Sequence, residues 1–120
     1  MKILITAKNK DALKSEMDSR FGRANYFAII NKMTLEVNII GNTAAEVASG
    51  AGVKAAQLAT DQKVDIVISG NFGPKAFAAL QSAKIKMFLS TEEKIKKALE
   101  AYLNGDLEEL GSPSNNGYYG

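Results

Sequence analysis

Val64-Asp65-Ile66-Val67-Ile68-Ser69-Gly70-Asn71-Phe72-Gly73-Pro74-Lys75 reads as a buried strand, a glycine-bounded loop and the start of a helix. A nearly continuous β-branched run suits a strand covered on both faces, as in parallel sheets wrapped by helices. Pro74 suits the first helical position, where the N–H that proline lacks would have no intrahelical partner. Ala76, Phe77, Ala79 and Leu80 then recur at helical spacing.

The same pattern extends in both directions. Ile3–Ala7 is a second buried apolar run, and Ile85–Leu89 reads as the fifth strand. Tyr26–Asn31 and Leu35–Ile40 are rich in β-branched and aromatic residues and are separated only by Lys32-Met33-Thr34, which predicts a hairpin with Leu35, Val37 and Ile39 on one face. Gly50–Asp61 carries a helical repeat, and Ser90 precedes Glu93 by the three residues of a capping box. Beyond it Ile95, Leu99, Tyr102 and Leu103 form an apolar stripe, with Glu92–Lys96 and Glu93–Lys97 as outer-face pairs. Gly105 ends that helix, and residues 106–120 read as a flexible tail.

The order β-β-β-α-β-α-β-α predicts an α/β fold of ribonuclease H-like, three-layer α/β/α type. Its mixed five-stranded sheet is expected in the order 3-2-1-4-5, with strand 2 antiparallel to the rest. Residues 1–105 are expected to form one domain. At 120 residues, 46% of them hydrophobic, the chain can bury roughly two thirds of its unfolded surface.

Charge is unevenly spread. Residues 98–120 hold four of the 13 acids and none of the 15 Lys and Arg, so the body is basic although the whole chain is only +2. A basic body favours anionic ligands but lacks the clustered stripe of a nucleic-acid binder. Lacking cysteine, and with neither a leader-like start nor a membrane-length apolar stretch, the chain is expected to be cytoplasmic and away from membranes.

Three segments share one chemistry: Ser19-Arg20-Phe21-Gly22-Arg23-Ala24, Ser49-Gly50-Ala51-Gly52-Val53-Lys54 and Gly70-Asn71-Phe72-Gly73-Pro74-Lys75. Each joins glycine, which permits close backbone approach, to a cation, and the last two open helices whose first N–H groups face a potential anion. In the predicted topology all three follow strands that run the same way, which places them at one sheet edge, where strand order reverses. Arg20 and Arg23 offer forked donors. Phe21 suits either an apolar wall or a loop anchor, with the anchor favoured, while the arginine pair favours function. Gly50-Ala51-Gly52 lacks the third glycine and the Lys-Ser/Thr ending of nucleotide signatures, so tight helix packing and anion binding both stand. Gly70–Lys75 is likewise a plain turn or a ligand loop.

Enzymatic chemistry has thin support. With neither histidine nor cysteine, no imidazole or thiolate can serve as base, nucleophile or metal ligand. The first strand carries no carboxylate of the kind two-metal nucleases use. Asp11, Glu16 and Asp18 read as loop charges, and Asp65 as a strand-end residue facing solvent.

Asp18–Ala24 followed by Tyr26-Phe27, Gly50–Val53 with Ala55-Ala56, Val64–Gly70, and Gly73–Ala76 together resemble the dinitrogenase iron-molybdenum cofactor biosynthesis family. That family includes nitrogenase cofactor carriers and orange-protein-like members. The resemblance spans roughly residues 1–104 and implies a non-catalytic carrier of a preformed anionic metal-sulfur cluster, of iron-molybdenum or molybdenum-copper sulfide type. Carriers that ligate through histidine or cysteine do not fit, so the implied mode is noncovalent, and recombinant protein need not carry the cluster. It further implies an anaerobic host and, as partners, an ATPase of the cell-division type or a cofactor-assembly protein. On this reading Arg20, Arg23, Lys54 and Lys75 neutralise the cluster, N–H groups around Gly50–Gly52 and Gly70–Gly73 donate to its sulfides, and Phe21 and Phe72 exclude water. The alternative is a regulatory module that binds a phosphorylated small molecule or a protein at the same edge. A phosphoester hydrolase is disfavoured.

Overall fold

Alternation along the strands splits the interior in two. Leu4, Phe27, Ile29, Val67 and Met87 face one side, while Ile3, Ile5, Ala28, Ile30, Ile66 and Ile68 face the other. The computed structural model describes residues 1–114. Its strands are β1 (Lys2–Ala7), β2 (Tyr26–Asn31), β3 (Val37–Gly41), β4 (Ile66–Ser69), β5 (Lys86–Leu89) and β6 (Glu108–Glu109). Its helices are α1 (Ala51–Asp61), α2 (Pro74–Ser82) and α3 (Ile95–Leu103), with 3₁₀ turns at Ala12–Lys14 and Thr43–Glu46. Ala55, Ala56 and Ala59 of α1 and Ala76, Phe77 and Leu80 of α2 cover the first face, and Ile95, Ala98 and Leu99 of α3 the second. No helix among the described residues is long and apolar enough to cross a membrane.

The sheet runs β3-β2-β1-β4-β5-β6. β2 is antiparallel to β1 and β3, whereas β1, β4 and β5 are parallel, as the sequence predicts. The expected five strands become six. β6 lies in the stretch read as a tail, antiparallel to β5, with Glu108 opposite Leu89 and Glu109 opposite Phe88. Two glutamates show no apolar alternation, so the strand left no pattern to find. It is held by its backbone and by its flanks, since Leu107 joins the α3-side core and Leu110 the α1/α2-side core. The chain then returns, and the Ser114 N–H donates to Phe72 O at 3.0 Å. Tyr118 and Tyr119 fall outside the described residues.

Two local expectations also change. Leu35 is in the hairpin turn at φ +63° and 45% exposed, not on the face shared by Val37 and Ile39. The cause is Asn31, whose Oδ1 accepts the Met33 and Thr34 N–H groups and draws the turn tight. Ser90 does not cap α3. Its Oγ accepts from Glu92 N at 3.2 Å, and the helix begins only at Ile95, behind Lys94. Residues 93–95 are engaged elsewhere: Met17 N donates to Glu93 O at 2.8 Å and Ile95 N to Ser15 O at 3.0 Å.

Candidate functional site

The loop after β1 changes sides. Met17 packs in the α3-side core and Phe21 in the α1/α2-side core, so residues 18–20 pass over the ends of β1 and β4. This is where strand order reverses, the crevice in which open α/β sheets commonly receive ligands. Here the chain's own backbone occupies it. Thr6 Oγ1, buried at the end of β1, donates to Asp18 O. Ser69 Oγ at the end of β4 lies 3.0 Å from Thr6 Oγ1 and 3.5 Å from Ser19 O.

Asp18 is not the solvated loop charge expected from sequence, being only 2% exposed. A carboxylate removed from water needs a partner, and Arg20 supplies it. Asp18 Oδ1 accepts from the Arg20 backbone N at 2.9 Å and from Nε at 3.2 Å, and Oδ2 accepts from Nη2 at 3.3 Å. The hydrogen bond and the charge of Asp18 raise the guanidinium's pKa above the ordinary arginine value. The Nε and Nη2 donors expected to face a ligand are therefore turned inward, while the Arg20 side chain stays 46% exposed.

The first and third segments meet directly. Arg20 and Asn71 form a parallel bridge, and Asn71 Nδ2 donates to Ser19 O at 3.3 Å. A Cβ on Gly70 would stand 2.8 Å from Ser19 Cβ and 2.9 Å from Ser19 Cα, so this glycine is required by close approach of the loop. Phe21 and Phe72 lie under that contact and do not form its rim. They are 1% and 0% exposed, with ring centroids 5.6 Å apart, and Phe21 stacks on Phe27 at 5.8 Å. Both are core anchors.

Arg23 links the first segment to the approach of the second. Its Nη1 donates to Ala45 O at 2.9 Å and Val47 O at 2.6 Å. Asn42, which the sequence reading passed over, completes the link: its Nδ2 donates to Gly22 O at 3.1 Å and Ala24 O at 2.8 Å, while Oδ1 accepts from Ala44 N. Its place between strand and 3₁₀ turn, in Gly41-Asn42-Thr43, was the available signal. Gly50 precedes α1 at φ +74° with open space around its α-carbon, and Gly73 precedes α2 in extended form. Neither glycine brings a capping side chain. The first N–H groups of both helices thus emerge at the edge bearing the 18–23 loop. Lys54 and Lys75 are exposed there, whereas Ala51, Gly52 and Gly22 are buried.

Two clefts along this edge differ in charge. One cleft of about 510 Å3 is lined by Lys8, Glu16, Met17, Ser19, Gly70, Asn71 and residues 90–93, including Glu92 and Glu93, so acids outnumber bases. Another of about 510 Å3 gathers Lys8, Lys10, Asn9, Asn25, Asn42 and Glu46. Arg20, Arg23, Lys54 and Lys75 line neither. Lys54 and Lys75 are exposed in the first turns of α1 and α2, outside both clefts.

The chain's similarities to known proteins agree with this architecture. Residues 1–105 match the family model described as dinitrogenase iron-molybdenum cofactor. The apo orange protein of Desulfovibrio gigas superposes with a TM-score of 0.91 at 31% identity, over 95% of this chain and 96% of that one. A NifB-like protein from Thermotoga superposes with a TM-score of 0.84 at 32% identity, over 97% and 98% of the two chains. An uncharacterized protein of Methanocaldococcus jannaschii is 29% identical over 113 residues, 92% of each chain. Matched along nearly its whole described length in sequence and in fold, this chain belongs to the dinitrogenase iron-molybdenum cofactor family.

Proposed function

We propose that this protein carries or shelters a preformed anionic metal-sulfur cluster as cargo, held noncovalently and without catalysis, on the shelf between the 18–23 loop and the first turns of α1 and α2. The observation that supports this most is the fastening of the 19–24 segment to the 70–75 segment through the Arg20–Asn71 bridge, and to the turn that leads into the 49–54 segment through the Arg23 bonds to Ala45 and Val47. Lys54, Lys75 and the Nη1 of Arg20, which has no partner among the described residues, supply cations and donors, and the helix N–H groups supply directional donors for sulfide. With neither histidine nor cysteine in the chain, attachment rests on charge, hydrogen bonds and shape. An iron-molybdenum precursor and a molybdenum-copper sulfide are both anionic cargoes of this kind. A ribonuclease H-like domain over residues 1–105, a cytoplasmic location and a cofactor-assembly protein or cell-division-type ATPase as partner belong to the same reading.

Apo protein mixed with tetrathiomolybdate and copper should develop a visible charge-transfer band. Lys54→Gln with Lys75→Gln should weaken it, because both side chains are exposed and their loss leaves the core intact. Arg20→Ala with Arg23→Ala should abolish it, although Arg20→Ala also leaves Asp18 buried without its partner. A band unchanged in the lysine pair would remove the shelf from the site. In a thermal-shift panel tetrathiometallates should raise the unfolding midpoint more than nucleotides do. The reverse ranking would favour a module that binds a phosphorylated small molecule.

A further inference from the structure

On the α3 side of the same edge, Lys14, Lys94, Lys96 and Lys97 surround a groove of about 340 Å3 with Leu13 in its lining. The sequence pairs Glu92 with Lys96 and Glu93 with Lys97, but those pairs need a helix that already includes residues 92 and 93. α3 starts at Ile95, and residues 93–95 bond to the 15–17 loop instead. Glu92 and Glu93 consequently line the cleft on the other side of that loop, together with Glu16. Among the described residues the single ion pair within 4.0 Å is Arg20–Asp18, so none of the four lysines has a carboxylate partner. The backbone has sorted the charges, with acids along one hollow and bases around the next.

We propose that this groove docks a short acidic segment of a partner protein, with one apolar side chain seated on Leu13 between the lysine stems. Charge complementarity requires an anionic occupant, and the leucine together with the lysine methylenes gives it an apolar floor. The lining holds no aromatic ring for base stacking and no arginine, which disfavours single-stranded nucleic acid. Glu16, Glu92 and Glu93 next door would repel a polyanion that continued past the groove, which limits the occupant's length. This surface lies apart from the cargo shelf and stands or falls independently of it.

The test is fluorescence anisotropy with a labelled peptide of glutamates and aspartates around one central leucine. Wild type should bind it, more weakly as salt rises. Lys96→Gln with Lys97→Gln should weaken binding roughly tenfold, as should Lys14→Glu, with unchanged thermal midpoints because these side chains are exposed. Serine in place of the peptide's leucine should also weaken binding, and Lys54→Gln with Lys75→Gln should leave it unaltered. No binding at low salt, equal binding by the groove variants, or equally tight binding of an oligodeoxynucleotide of matched charge would overturn the proposal.

Discussion

Replacing Gly70 by alanine tests the contact that holds the crossing loop in place. Its φ lies outside the left-handed region, so alanine carries no conformational penalty there and the whole cost is steric. The new methyl would sit 2.8 Å from Ser19 Cβ, 2.9 Å from Ser19 Cα and 3.0 Å from Ser19 O, two of which are backbone atoms that cannot rotate away. Relief requires the 18–20 loop to lift by several tenths of an ångström, stretching the Asn71–Ser19 bond, already 3.3 Å, and the Thr6 and Ser69 contacts beneath it. Overpacking of this kind costs about 1–3 kcal/mol. For a chain of this size that lowers the midpoint by roughly 4 °C per kcal/mol, read by circular dichroism during heating. Ser19→Gly in the same chain removes only the 2.8 Å contact, so rescue should be partial. A Gly70→Ala midpoint equal to wild type, or complete rescue by Ser19→Gly, would refute the backbone approach.

Gly50 offers the opposite case, since nothing surrounds its α-carbon but its φ is +74°. Gly50→Ala should cost about 1 kcal/mol by chemical denaturation, and Gly50→Asn less, because asparagine tolerates the left-handed region. Phe72→Ala should be far more damaging, by about 3–5 kcal/mol, as it empties a ring that is 0% exposed and packed on Phe21. Ser114→Ala should speed amide exchange at Phe72, whose N–H donates to Ser114 Oγ at 2.7 Å, and leave exchange in β1 unaltered. The Arg20 pKa is raised, so stability from its pairing is complete below the ordinary arginine range and lost only as pH climbs past it. Denaturant midpoints should therefore show no step near neutrality from this residue.

The parallel strands were legible because their covering on both faces writes long β-branched runs, as in Ile66–Ile68, and Pro74 marked its helix start correctly. Some expectations fail where backbone groups find partners distant in sequence, others, as at Leu35, where a nearby side chain tightens a turn. Ser90 and Glu93 had the spacing of a cap, yet Ser15 and Met17 took the bonds that would have begun the helix there. Asp18 reads like any loop acid because its burial exists only once the loop crosses the ends of β1 and β4, where Thr6 Oγ1 donates to its carbonyl, although its partner Arg20 is just two residues away. The glycine at 70 was visible as a loop residue, but the surface it accommodates belongs to Ser19, far earlier in the chain. Of the candidate site, the meeting of the 19–23 and 70–75 segments at one edge follows from topology. The inward turn of Arg23 depends on the distant carbonyls of Ala45 and Val47, which no local pattern encodes, whereas Arg20 turns onto Asp18 two residues before it.

The tight turn between β2 and β3 lies at the far end of the sheet from the crossing loop, because β2 runs antiparallel to β1. Met33 at its tip is 84% exposed. A fluorophore or affinity epitope inserted there would project from the pole remote from both the shelf and the lysine groove. That makes the turn the attachment point of choice for immobilising the protein with its working surfaces facing outward.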